Sequence, residues 1–118
     1  MPGAGRAPDG SVGIGDFAWG CDLFDHRYYW EAHEVWECEW RTLPDGPERE
    51  LLRGLVCAAA SVIKHHQGWT DGARRLRARA DAAFAAAGAI DRGLDLAELR
   101  ARLAAFASEG RWPTLPSR

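Results

Sequence analysis

The chain has 118 residues, which is enough for one domain with a single buried core. Fifteen Lys and Arg against seventeen Asp and Glu give a formal net charge of −2, which argues against binding of nucleic acid by bulk electrostatics. The three cysteines have no CxxC spacing, so a cytoplasmic domain is expected. No apolar run approaches the roughly 20 residues of a membrane span. Together with the net charge, this predicts neither a membrane partner nor a nucleic-acid partner.

The two ends of the chain lack a helical pattern. Residues 1–15 are rich in Gly and Pro and have no repeating apolar face, so they are predicted to form a flexible arm. Residues 111–118 contain two prolines and are predicted to form an extended tail, which Trp112 can pin to the domain. Residues 16–110 between these ends are predicted to form the helical domain.

Four helices are predicted between the two ends, and no segment alternates polar and apolar residues like a strand. The fold class is therefore all-α, a compact helical bundle. The first helix is predicted from about Asp22 or Asp25 to Arg41, with Cys21 in the loop before it. It ends before residues 43–47, where two prolines and a glycine predict a turn.

The other three helices have clear start and stop signals. They are predicted from Pro47 to His66 or Gln67, from Thr70 or Asp71 to Ala87, and from Asp95 to the residue before Gly110. Thr70 or Asp71 is the predicted N-cap of the third helix, and the Asp95–Glu98 spacing resembles a capping box. Gly68 and Gly88 are predicted to end the helices that precede them.

The first predicted helix carries a mixture of aromatic and polar side chains on one face. At 3.6 residues per turn, one stripe contains His26, Trp30, His33, Glu37 and Trp40. This stripe is flanked by Tyr29 and Trp36 on one side and by Glu34 and Arg41 on the other. A core face is typically Leu and Ile, and a solvated face has no Trp. The stripe is therefore predicted to line a cleft or to be buried with its polar groups paired.

The same helix carries a motif that resembles a known family. The run His33-Glu34-Val35-Trp36-Glu37, followed by Trp40-Arg41, resembles the signature of the family catalogued as domain of unknown function 309. Two further blocks match in sequence and interval: Gly54-Leu55-Val56 with Ala58-Ala59-Ala60, and Gly68 with Gly72-Ala73. The resemblance covers about residues 24–84. It implies a small helical bundle with an HExxE motif of unassigned role.

One hypothesis for the motif is a divalent-metal site. His33 and Glu37, at positions i and i+4, can ligate one ion from adjacent turns, and His65 or His66 can complete the set from the second helix. The pattern lacks the second histidine of HExxH and the ExxH pair of carboxylate-bridged di-iron sites. A protein without a cofactor is therefore the main expectation. A metal-binding protein or metal-assisted hydrolase that uses His33, Glu37 and His66 is the alternative.

Two further hypotheses use the same side chains without a metal. In the first, a buried polar network ties the first two helices together. In the second, these polar groups contact a small molecule in a pocket lined by Trp30, Trp36 and Trp40. The polar candidates in both are His33, Glu34, Glu37 and Arg41. Catalysis stays open, because His33 can act as an acid–base group but no nucleophile with a supporting base is identifiable.

A homodimer is a further hypothesis for the partner of this chain. The Trp-rich first helix and the Ala-rich third helix each offer an apolar surface to a second copy.

Overall fold

The computed structural model describes residues 16–118, and the predicted flexible arm at 1–15 lies outside the described residues. Within residues 16–118 the chain forms five α-helices and no β-strand, which confirms the all-α fold class. The helices are α1 (Asp16–Asp25), α2 (Tyr29–Thr42), α3 (Pro47–His66), α4 (Thr70–Ala87) and α5 (Leu96–Glu109). In the part of the chain that is described, no helix is long and apolar enough to cross a membrane.

The first predicted helix is two helices, which corrects the prediction of four. α1 begins at Asp16, upstream of both predicted caps, so Cys21 lies inside a helix and not in a loop. Burial of the Cys21 thiol, reinforced by the nearby Asp25 carboxylate, raises its pKa to about 12, so this thiol is a poor nucleophile at neutral pH.

The break between α1 and α2 is a Schellman turn. The amide N–H of Tyr28 donates to the carbonyl oxygen of Leu23 at 2.8 Å, and the N–H of Arg27 donates to that of Phe24 at 3.1 Å. Arg27 takes φ = 70°, the left-handed conformation that glycine usually supplies at this position. Because no Gly or Pro marks the break, the sequence pattern predicted a continuous helix.

α1 folds back onto α2 because Gly20 presents no side chain at the contact. A Cβ atom at Gly20 would lie 2.3 Å from Nε1 of Trp36, so only glycine allows this approach. The Trp36 ring is fully buried, and its indole N–H donates to the carbonyl oxygen of Phe17 at 3.3 Å. Trp36, three residues after His33 in the motif, therefore fills the space between α1 and α2.

α3 is the central helix and packs against both α2 and α4. Its buried face follows helical spacing and comprises Leu51, Leu52, Leu55, Ala58, Ala59 and Val62. Gly54 lies at the contact with α4, where a Cβ atom would approach Cε1 of Phe84 to 2.4 Å. Small residues therefore set the close packing of α3 on α4.

The helix ends follow the predicted signals with one exception. Asp95 caps α5, because its Oδ1 accepts the Glu98 N–H at 3.0 Å, and Gly110 takes the left-handed conformation at the end of α5. Gly68, with φ = 88°, follows α3 as predicted. The predicted cap of α4 is wrong: the helix begins at Thr70, and Trp69 occupies the N-cap position without a side-chain hydrogen bond.

The C-terminal segment 111–118 is extended and is held against the helices at several points. The Tyr29 hydroxyl donates to the carbonyl oxygen of Pro113 at 2.9 Å, and the Leu115 N–H donates to Asp25 Oδ1 at 2.7 Å. The Trp112 ring stacks on Tyr29 with centroids 5.9 Å apart, so this residue pins the segment to the start of α2. The segment therefore forms one side of the surface described below.

Replacement of Gly54 by Ala tests the close packing of α3 on α4. We expect Gly54→Ala to lower the free energy of unfolding by about 1–3 kcal/mol, because the added Cβ overlaps the buried Phe84 ring. Gly72→Ala is the matched helical control, since its Cβ would meet only Cβ of Trp69, at 4.0 Å. It should be neutral or stabilising by up to about 1 kcal/mol. Urea unfolding measures both, and equal stabilities of the two variants would contradict this packing.

Replacement of Tyr29 by Phe tests the attachment of the C-terminal segment. Loss of the hydrogen bond to Pro113 should cost about 1 kcal/mol at neutral pH. Burial raises the pKa of Tyr29 to about 12, so the folded state disfavours the phenolate. Because the unfolded pKa is near 10, wild-type stability falls as the pH rises past that value, whereas the Phe variant lacks this loss.

The stability difference between wild type and Tyr29→Phe should therefore shrink between about pH 9 and about pH 11. Urea midpoints of both proteins at these two pH values give the measurement. A difference that is constant with pH would show that Tyr29 is not buried against the segment.

Candidate functional site

The motif residues of α2 divide between the core and the surface. The buried positions of this helix are Tyr29, Ala32, Val35 and Trp36. His26 lies in the turn before α2, so the predicted stripe is broken there. Its other members lie beside the buried face, with His33 and Trp40 at the edge and Trp30 and Glu37 further out. Because a helix face turns gradually from core to solvent, the motif mixes packing residues with accessible ones.

Two of the three tryptophans predicted to line a pocket have packing roles. Trp36 is a core residue, as its full burial between α1 and α2 shows. Trp40 is half-buried, and the Arg49 guanidinium lies over its ring at 4.2 Å from the centroid. Arg49 Nε also donates to the Trp40 carbonyl oxygen at 3.3 Å. Trp40 and Arg49 thus close the turn between α2 and α3.

Trp30 is the accessible tryptophan of the motif helix. Its side chain is 58% exposed, and one face of its ring stacks on the His33 imidazole, with centroids 5.5 Å apart and planes at 19°. An indole that is largely exposed gains little from burial within the fold, so its apolar surface is available for contact with a ligand. Trp30 is therefore the strongest candidate on α2 for contact with a ligand.

His33, Glu37 and Arg41 form a chain of polar contacts along α2. The Nε2 atom of His33 lies 3.5 Å from Oε2 of Glu37, and Oε1 of the same carboxylate accepts a hydrogen bond from Arg41 Nη2. The His33 and Glu37 side chains are 20% and 30% exposed, whereas Arg41 is 64% exposed. Glu34 is also exposed. A network around Glu37 is present, but it lies at the surface. Among the described residues its contacts stay within α2 and do not connect it to a second helix.

The Nδ1 atom of His33 is buried without a hydrogen-bond partner among the described residues. The other ring nitrogen faces Glu37, so this carboxylate holds the imidazole in one orientation. The imidazole therefore lies between the Glu37 carboxylate and the ring of Trp30.

Two concavities lie on either side of Trp30 and Ile63, between α2 and α3. The first has a volume of about 190 Å³ and is lined by Trp30, His33, Ala60, Ile63, Lys64 and Gln67. The second, about 250 Å³, contains Arg27, Glu31, His66 and Trp112 beside Trp30 and Ile63. We refer to the two concavities together as the α2–α3 groove. Its size suits a small molecule or part of a larger one.

The charges around the groove favour an anion. Arg27 and Lys64 lie at its two ends, and neither forms an ion pair with a described residue. Glu31 is the carboxylate that lines the groove itself. A chain of net charge −2 therefore presents a locally cationic groove.

The predicted metal ligands are only partly brought together. His33 and Glu37 are neighbours, whereas His66 packs on Trp112 at 5.1 Å between ring centroids and lines the other concavity. In residues 16–118, no group of three His, Cys, Asp or Glu side chains is arranged to hold a metal ion. The metal site stays a hypothesis based on the His33–Glu37 pair.

A larger cavity of about 510 Å³ lies between α5 and the C-terminal segment. It is lined by Arg102, Arg111, Trp112 and Thr114 among others. Its two guanidinium groups already have partners, because Arg102 binds Glu98 and Thr114, and Arg111 binds Glu109. These side chains hold the segment in place, so we do not assign a ligand to this cavity.

Apart from His66, the residues that α3, the turn between α1 and α2 and the C-terminal segment contribute to the groove were not predicted from the sequence. Ala60, Ile63, Lys64 and Gln67 are spaced i, i+3, i+4 and i+7, which places them on one face of α3. This spacing is visible in the sequence, but two of the four side chains, Ala60 and Ile63, are apolar, and the set does not suggest a site by itself. Arg27 enters the groove only because of the turn between α1 and α2, which was not predicted.

The fold and the groove define a small all-α protein with a solvent-accessible aromatic cleft. The family described as domain of unknown function (DUF309) matches residues 17–76, about half of the chain, so the chain belongs to this family. The match confirms the resemblance to this family, and it spans α1 from Phe17 onward together with α2 and α3. A comparison with curated proteins found no match.

Replacement of the motif tryptophans should separate packing from binding. We expect Trp36→Phe to lower the free energy of unfolding by about 1–3 kcal/mol, because it leaves a cavity and removes the donor for the Phe17 carbonyl group. Trp30→Phe, the matched change at an exposed ring, should stay within about 0.5 kcal/mol of wild type. Urea unfolding compares the two. A larger loss for Trp30→Phe would place Trp30 among the packing residues.

Proposed function

We propose that this protein binds a small, planar, negatively charged molecule in the α2–α3 groove. The observation that carries the proposal is the exposed ring of Trp30 between two concavities. Lys64 lines one concavity and Arg27 the other, and neither cation has an ion-pair partner among the described residues. The planar part of the ligand stacks on the free face of Trp30, and its negative group pairs with Lys64.

His33 supports the binding surface from behind. Its ring stacks on one face of Trp30, and its Nε2 lies beside the Glu37 carboxylate. A stacking surface that is already ordered loses less conformational entropy when a ligand binds. In this proposal His33 and Glu37 of the HExxE motif position Trp30 and do not contact the negatively charged group of the ligand.

The exposure of the polar motif residues supports ligand binding over a buried structural network. Glu34 and Arg41 are exposed, and Glu37 remains in contact with solvent. Surface ion pairs contribute little to stability, typically below about 1 kcal/mol. A purely structural role thus leaves the exposed Trp30 ring and the cationic groove without a purpose.

Titration with 2-naphthoate tests the proposal, because this probe combines a planar ring system with one carboxylate. Binding is followed by the indole N–H resonances of the six tryptophans in ¹H–¹⁵N NMR spectra. We expect a saturable shift of the Trp30 resonance and little change for buried Trp36. Cyclohexanecarboxylate has the same charge without an aromatic ring and should bind at least about tenfold more weakly, since stacking contributes roughly 1–3 kcal/mol.

Trp30→Ala should weaken naphthoate binding by about tenfold or more. Tyr28→Ala is the matched control, because Tyr28 is a neighbouring exposed aromatic residue that lines neither concavity. Equal affinities of the two variants, or the absence of a saturable shift in wild type, would rule out the proposed function.

A further inference from the structure

A second exposed tryptophan lies beside the groove. Trp69 is 66% exposed, and the Nζ atom of Lys64 lies 6.0 Å from the centroid of its ring. Lys64 also lines the first concavity, together with Trp30. One lysine side chain is therefore within reach of both exposed indoles. We refer to Trp30, Lys64 and Trp69 as the two-tryptophan surface.

The backbone fixes Trp69 in this exposed position. α3 ends in a second Schellman turn, in which the Trp69 N–H donates to the Lys64 carbonyl oxygen at 2.9 Å and the Gly68 N–H donates to that of His65 at 3.0 Å. Such turns usually bring the residue after the left-handed position against the third residue from the helix end. Here these residues are Trp69 and Lys64, so the cation and the ring are held together by the turn.

Lys64 neighbours both exposed indoles, so the surface combines two stacking rings with one cation, the groups that bind bases and phosphate in a nucleic-acid strand. In single-stranded nucleic acid, planar bases alternate with phosphates, and proteins bind such strands by stacking bases on aromatic side chains beside a cationic groove. An isolated planar anion needs one ring and one cation. The second exposed ring beside Lys64 therefore points to a longer ligand.

We propose that the two-tryptophan surface binds single-stranded nucleic acid, with one base on Trp30, the next on Trp69 and the phosphate between them at Lys64. This inference rests on the proposed function for the base on Trp30. It also departs from the expectation of no nucleic-acid partner, which was argued from bulk electrostatics. A surface with two stacking rings and few phosphate contacts depends mainly on stacking, and an overall charge of −2 does not prevent it.

The salt dependence distinguishes this binding from bulk electrostatics. One phosphate contact gives a slope of about −0.7 for the logarithm of the association constant against the logarithm of salt concentration, and two contacts, if Arg27 takes part, give about −1.4. Fluorescence anisotropy with a labelled oligothymidylate of roughly ten nucleotides measures this slope. A slope of about −3 or steeper would overturn the stacking arrangement.

The single lysine of the chain allows a direct footprint. Acetylation by sulfosuccinimidyl acetate, followed by mass spectrometry, modifies Lys64 and the α-amino group, and the α-amino group is the internal control. Oligothymidylate at saturation should slow acetylation of Lys64 by about tenfold or more, and a polyphosphate of equal charge should not. Equal protection by polyphosphate would overturn the proposal in favour of an anion site without stacking.

Variants separate this inference from the proposed function. Trp69→Ala should weaken oligothymidylate binding by about tenfold and leave 2-naphthoate binding unchanged, whereas Trp30→Ala should weaken both. Tyr28→Ala is again the control. If 2-naphthoate binds but oligothymidylate does not, or if Trp69→Ala binds it normally, this inference fails and the proposed function stands. If neither probe binds, both fail.

A second copy of the chain is the other candidate occupant. In that case Lys64 would become protected from acetylation as the protein concentration rises, without any oligonucleotide. Acetylation rates at two protein concentrations test this directly. A concentration-dependent protection would overturn the nucleic-acid proposal, and equal rates leave the surface open for the strand.

Discussion

The contact between Gly20 and Trp36 is the constraint on which the position of the motif depends. Trp36 is the largest fully buried side chain, and its ring occupies the space that any side chain at residue 20 would need. With Trp36 fixed under α1, the helical period of α2 places His33 at the edge of the core and Trp30 outside it. The same helix therefore anchors the fold at one residue and exposes an aromatic ring six residues earlier.

Two Schellman turns shape the surface around that ring. The turn at Arg27 sends the chain from α1 into α2 and leaves the Arg27 guanidinium over the Trp112 ring, 5.3 Å from its centroid. The turn at Gly68 ends α3 and holds Trp69 against Lys64. Because these turns are closed by backbone hydrogen bonds, they place cations and aromatic rings at both ends of the groove without long loops. A rigid frame of this kind suits stacking, which depends on orientation.

The sequence predicted α3, α4 and α5 well because each has explicit signals, such as Pro47 at the start of α3 and Gly110 after α5. The break before α2 was missed, since Arg27 takes a glycine-like conformation that residue type does not reveal. On the motif helix, the stripe correctly joined His33 to Glu37, and full burial of Trp36 was missed because its partner Gly20 belongs to an unpredicted helix. The position of Lys64 beside Trp30 was missed because it depends on how α3 packs against α2.

The family match covers most of the groove but not the C-terminal segment. The match at residues 17–76 contains Gly20, Trp36 and Gly54, the residues that set helix packing, and also Trp30, Lys64 and Trp69. Trp112, which forms one wall of the second concavity, lies beyond it on the C-terminal segment. That segment is attached through Tyr29 and Asp25, and its Trp112 closes one end of the groove. The two-tryptophan surface belongs to the family-matched part, whereas the shape of the Arg27 end depends on the segment outside it.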